Sequence, residues 1–135
     1  MANSLILTIS LKLKTRMKKK KSKILCFDLD GVICKTIGNS YKDSKPIKKN
    51  INFINSLFKK NFIIKIFTAR FMGRSKENVV LAKKRGLFLT KNQLKKWRVK
   101  YHHLIMGKPS YDLFVDDKAY GFDQNWPLKI KKYLN

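Results

Sequence analysis

Ile24-Leu25-Cys26-Phe27-Asp28-Leu29-Asp30-Gly31-Val32 is the stretch on which the reading of this chain turns. Four apolar residues run into two carboxylates one residue apart, and a glycine follows. A run so short and so apolar predicts a buried strand, Ile24 to Phe27, with the carboxylates just past its end. Paired carboxylates repel unless a cation or a proton lies between them. Only 8 of the 135 residues are acidic, so such a pair is a poor ornament in this chain. Gly31 allows a tight turn and a close approach of backbone to a phosphate.

Outward from this stretch, strand and helix signals alternate. Residues 33–45 read as a polar loop containing Gly38, Asn39 and Ser40. Pro46 can open a helix, on which Ile47, Ile51, Ile54 and Phe58 recur at helical spacing. Phe62 to Phe67 reads as a second buried strand, ending at Thr68. A helix is predicted from Ser75 as N-cap, with Glu77 in its first turn and Gly86 at its stop. Another begins at Thr90, where Gln93 completes a capping-box pattern, and its apolar face is Leu94, Trp97 and Tyr101. His103 to Met106 is a third strand, and Leu113 to Val115 a fourth. This alternation predicts an α/β fold: one parallel sheet flanked by helices, over residues 24–135. No internal repeat and no second domain are visible.

Residues 1–23 hold eight basic residues and no acidic one, and read as a basic, disordered tail. The apolar part precedes the basic cluster, the wrong order for a secretory signal, whereas organelle targeting stays open. Met17 has the look of a natural start. No apolar run approaches a membrane span. Cys26 and Cys34 show neither zinc-ligand spacing nor a disulfide framework, which suits a reducing, cytoplasmic setting. The net charge of +24 admits nonspecific contact with nucleic acid. Yet the excess is mostly lysine, 27 against 5 arginines, scattered along a chain rich in Asn and Ile. That pattern reads as coding bias more than as a binding face.

In an open α/β sheet, ligands bind beyond the carboxyl ends of the strands. Asp28 and Asp30 follow the first predicted strand, Thr68 ends the second, Lys108 lies past the third, and Asp116 and Asp117 follow the fourth. Thr68 stands 40 residues after Asp28, and Lys108 another 40 after Thr68, comfortable lengths for a strand–helix–strand return. These groups permit phosphoryl transfer. Carboxylates from two strands can hold Mg2+, a hard cation that prefers oxygen. One carboxylate can attack phosphorus, and a second can protonate the leaving oxygen and later activate water. A hydroxyl and a lysine can neutralise the equatorial oxygens.

The four segments resemble the motifs of the haloacid dehalogenase (HAD) superfamily of phosphotransferases. Asp28-Leu29-Asp30-Gly31-Val32 is similar to the first, Phe67-Thr68 to the second, Lys108-Pro109 to the third and Val115-Asp116-Asp117 to the fourth. The resemblance covers residues 24–120. It implies a Rossmann-like, HAD-type sheet and a phosphatase that works through an aspartyl phosphate. It implies that Asp28 is nucleophile and metal ligand, and that Asp30 is general acid/base, its backbone carbonyl on the metal. Thr68 and Lys108 would bind the phosphoryl group, and Asp116 and Asp117 would hold Mg2+. Thr68-Ala69-Arg70, Trp97, Tyr101-His102-His103 and Gly107-Lys108-Pro109 look like small HAD phosphatases of capsule and surface-sugar biosynthesis, which implies a phosphosugar or another small phosphorylated metabolite. Gly31 and Arg70 are candidate substrate contacts.

The gap from the first motif to the first helix is about 15 residues, room for a flap and no more, so no cap domain is expected. An open site would select its substrate through oligomer contacts or through a large substrate. Plainer readings stand beside these. Asp28-Leu29-Asp30-Gly31 is also a turn sequence, though the later ligands of an EF-hand calcium loop are absent. Thr68 alone is a helix cap, and Lys108 alone is one lysine of 27. His102 and His103, adjacent on a strand, point to opposite faces and do not suit chelation of one ion. Nucleic-acid binding, or a nucleic-acid end phosphatase, is the alternative function.

Overall fold

Strand β1 (Ile24–Phe27) pairs in parallel with β4 (Ile63–Thr68), and β4 pairs in parallel with β5 (His103–Met106). The sheet order is therefore β1-β4-β5. A computed structural model of the chain describes residues 3–8 and 21–135. Residues 3–8 form a short exposed helix, α1. Of the expected disordered tail, residues 1–2 and 9–20, with Met17, lie outside the described residues, whereas at Lys23 the chain is already tied to the sheet, its carbonyl accepting from the Ile63 N–H at 2.9 Å.

Alternation along β4 decides where the core sits. Ile64, Ile66 and Thr68 are buried, whereas Ile63, Lys65 and Phe67 are only partly so. The buried row meets α2 (Lys48–Lys59) through Ile51, Ile54 and Leu57, and meets α3 (Val79–Lys96) through Leu94. Trp126, in the short α4 (Trp126–Lys129), closes this core against Phe27 and Phe53, with ring centroids 5.5 and 5.7 Å away. Parallel strands are ordinarily covered on both faces. Here Cys26, Lys65 and His103 are register partners on the opposite face, where Cys26 and His103 are exposed.

Three expectations are corrected. Residues 33–45 are not a plain loop: β2 (Cys34–Lys35) pairs antiparallel with β3 (Lys45–Pro46), and a 3-10 turn (Tyr41–Asp43) lies between. Pro46 belongs to that ladder, and Ile47 caps α2. Second, the two helices expected around Gly86 are one. The N-cap of α3 is Asn78, whose side chain accepts from the Leu81 N–H at 3.0 Å, and the helix runs on to Lys96. Third, Leu113 to Val115 is not a strand; Leu113 and Val115 are 80% and 87% exposed. Among the described residues, this sheet therefore has three strands. Among the described residues, no helix is long and apolar enough to cross a membrane.

Candidate active site

The carboxyl ends of β1, β4 and β5 lie side by side, and an open cleft of about 310 Å3 sits above them, lined in part by Asp28, Asp30, Arg70 and Lys108. The backbone leaves β1 through a tight turn. The Ile33 and Cys34 N–H groups donate to the Leu29 carbonyl, and the Gly31 N–H donates to the Cys34 carbonyl at 2.7 Å. Gly31 has φ +90°, and a Cβ there would meet nothing within 4 Å. Conformation, and not space, requires glycine at this position.

The two carboxylates are each matched to a different cation. Asp28 Oδ2 lies 3.4 Å from the Lys108 ammonium, and its Oδ1 accepts from the Leu29 N–H at 2.8 Å. Lys108 is placed by the strand pairing itself, since its N–H donates to the Thr68 carbonyl at 3.1 Å. Burial raises the Asp28 carboxyl above its ordinary value; Lys108 and the Leu29 N–H oppose that shift without cancelling it. Burial acts to lower the Lys108 ammonium, but the side chains of Tyr111 and Asp28 outweigh it and hold the group above its ordinary value. The pair is thus a charged lysine against a carboxylate that gives up its proton reluctantly.

Asp30 is held by Arg70. The guanidinium reaches both carboxylate oxygens, from Nε at 2.9 Å to Oδ2 and from Nη2 at 2.8 Å to Oδ1. Arg70 is 1% exposed, and its other donors are also engaged. Nη1 donates to Gln93 Oε1 at 2.5 Å and Thr90 Oγ1 at 3.5 Å; Nη2 donates to Ser44 Oγ at 3.1 Å. A guanidinium has five N–H donors, so none is left over for a ligand. Arg70, expected as a substrate contact, is instead the buried anchor of Asp30. Thr36 Oγ1 adds a further hydrogen bond to Asp30 Oδ1. The Cys34 thiol beside them is pushed up to about 11 by burial, so it stays protonated at neutral pH and is no nucleophile.

Thr68 is fully buried at the end of β4. Its Oγ1 accepts from the Arg70 N–H at 3.1 Å, which leaves its own hydrogen free to donate. Asp116 and Asp117 are not brought to the cleft. Both are exposed, and Asp116 Oδ1 accepts from the Lys118 N–H at 2.8 Å in its own turn. Among the described residues, no three His, Cys, Asp or Glu side chains gather closely enough to hold a metal ion. Of the magnesium shell expected from the Asp28 carboxylate, the Asp30 backbone carbonyl, Asp116 and Asp117, only Asp28 and Asp30 line the cleft, and the two exposed carboxylates that would complete it do not. His102 is a packing residue: its ring stacks on Phe58 at 4.6 Å, and Nδ1 accepts from the Ile64 N–H.

Several residues in or behind the cleft escaped the sequence reading. Thr90 and Gln93 look like a capping box, but they lie inside α3 and accept from Arg70. Gln93 Nε2 also donates to the Tyr41 carbonyl at 2.6 Å. Arg74 stands at the rim with its guanidinium over the Tyr41 and Phe71 rings, 5.2 and 4.7 Å from their centroids. Its one signal in the sequence is its place six residues past Thr68, where the second strand is expected to end.

No protein-family model matches the chain, and no curated protein matches it. A crystallised protein from Vibrio cholerae, solved as an MCSG target, is similar in fold with a TM-score of 0.68. It is 24% identical, and the match covers 84% of this chain and 99% of that one.

Proposed function

We propose that this chain is a phosphomonoester hydrolase of the HAD type, with a Rossmann-like sheet, no cap domain and an aspartyl-phosphate intermediate. The observation that carries the reading is the pair of carboxylates after β1, each with its own cation, Lys108 from the end of β5 and Arg70 from the end of β4. A phosphate dianion needs positive charge and hydrogen-bond donors at its oxygens and a nucleophile in line with the leaving group. Asp28 is half-exposed to the cleft and supplies the nucleophile. The Lys108 ammonium beside it neutralises the incoming phosphoryl oxygens.

In the first step a bond forms between an Asp28 oxygen and phosphorus, and the bond from phosphorus to the substrate oxygen breaks. In this proposal Asp30 enters the step as the neutral acid, which requires its pairing with Arg70 to open, and gives that oxygen its proton. Water then attacks the acyl phosphate, Asp30 accepts the water proton, and inorganic phosphate and the free Asp28 carboxylate are released. Small phosphorylated metabolites, among them phosphosugars, are the substrate class of this proposal. Magnesium belongs to it through the resemblance alone. The requirement is measured by dialysis against a chelator followed by addition of Mg2+.

The test is hydrolysis of 4-nitrophenyl phosphate and a panel of phosphorylated metabolites. Asp28→Asn should abolish activity while circular dichroism stays unchanged. Undiminished turnover in that variant would sink the mechanism.

A further inference from the structure

Arg74 is the one cation lining the cleft that has no carboxylate partner among the described residues: Lys108 faces Asp28, and Arg70 faces Asp30. Its side chain makes a single hydrogen bond, from Nη2 to the Asn39 carbonyl at 2.8 Å, so most of its donors are unused. It is nonetheless held in place. Tyr41 and Phe71 form a ring pair with centroids 5.0 Å apart, and the guanidinium lies over both. Cation–π contact with two rings at once restricts where the guanidinium can sit, which a lysine on a flexible stem would not match.

The platform under Arg74 is costly. Phe71 has φ +66°, a left-handed conformation that an aromatic residue adopts only when its surroundings impose it. Its ring occupies a notch in α3 made by Gly86, where a Cβ would come within 2.2 Å of Phe71 Cδ2. A glycine inside a helix and an aromatic residue at positive φ are both unfavourable alone. Together they present a fixed, unpaired guanidinium at the rim of a cleft whose floor holds Asp28.

We propose that Arg74 binds a second anionic group of the substrate, so that the cleft takes phosphomonoesters that also carry a carboxylate or a second phosphate. The inference rests on the phosphatase reading for the fate of the first phosphate. Arg74 engages the far end of the molecule and takes no part in bond breaking. Carboxylate and phosphate share the chemistry that a guanidinium fork recognises.

The test compares substrates that differ in the second anion alone: 3-phosphoglycerate against glycerol 3-phosphate, and fructose 1,6-bisphosphate against fructose 6-phosphate. The full chain should prefer the anionic member of at least one pair by roughly tenfold or more in kcat/KM, the scale of one charge-assisted hydrogen bond. Arg74→Gln should bring that ratio to about one, with the change carried by KM, and Arg74→Lys should keep part of it. No preference in either pair, or a preference that survives Arg74→Gln, overturns the proposal. Should the wild-type chain hydrolyse neither these four nor 4-nitrophenyl phosphate, the phosphatase reading fails. Calorimetric titration of the same compounds then decides Arg74 by itself. Tighter binding of the anionic member that Arg74→Gln abolishes supports the site; equal binding, or none, overturns it.

Discussion

Asp28 and Asp30 stand one residue apart, yet they are tied to cations from different strand ends, and the proposed mechanism gives them different tasks. Burial holds the Asp28 carboxyl above its ordinary 3.8, so the acid limb of kcat/KM should fall above that pH. Lys108 opposes the shift. Lys108→Met removes the opposing charge, and the acid limb should move to higher pH, as a pH–rate profile would read directly. The stability sign is the same: the folded chain keeps a proton that the unfolded chain gives up. The Asp28 contribution is therefore present below the unfolded value and lost as pH rises through the folded one. If Asp30 takes the proposed proton-transfer role, Asp30→Asn should cost more on alkyl phosphates than on 4-nitrophenyl phosphate, whose leaving group departs without a proton. Equal losses on both would remove Asp30 from that role. Arg70→Ala would leave the Asp30 carboxylate without its guanidinium and should destabilise by about 3–5 kcal/mol in urea denaturation.

At the scale of elements, Gly86 makes the sharpest prediction. Gly86→Ala gains about 1 kcal/mol of helix propensity but drives a methyl into the Phe71 ring. Overpacking of this kind costs about 1–3 kcal/mol, so the variant should melt at lower temperature although alanine is the better helix former. The same glycine shows what sequence reading can and cannot reach. Strands β1, β4 and β5 were legible, because a run of consecutive apolar residues that ends on a polar group suits a buried parallel strand and little else. The helix over Ile51, Ile54 and Phe58 was legible from its period. Gly86, Thr90 and Gln93 imitate a helix stop followed by a capping box, and local chemistry alone cannot separate that from one helix with a notch and two acceptors. What separates them is tertiary: Phe71 needs the space, and Arg70 needs the oxygens. Leu113 to Val115 failed for a related reason, since an apolar triplet has strand propensity whether or not a partner edge is beside it. The meeting of Asp28 and Lys108 in one cleft was legible from their strand ends, whereas the placing of Arg74 depends on two rings brought from distant segments.

For the whole molecule, the charge of +24 is the property most open to misreading. The uncovered sheet face carries Lys65 and His103, and a groove of about 450 Å3 runs along it beside Lys91 and Tyr101. Charge spread in this way attracts any polyanion without choosing among them. Oligonucleotide binding is expected to be weak and to vanish at modest salt, with a reduced salt slope in a chain lacking residues 1–23. Retention of tight binding at high salt would instead favour a nucleic-acid function.

Trp126 has a use beyond packing. It sits 4% exposed between Phe27 and Phe53, and neither it nor Trp97 lines the cleft, whereas Tyr41 and Tyr111 do. Indole emission should therefore follow unfolding of the core and stay silent when a ligand enters. Tyrosine absorbance near the cleft should respond to the ligand. Two optical signals, separable by wavelength, let stability and occupancy be recorded from one unlabelled sample.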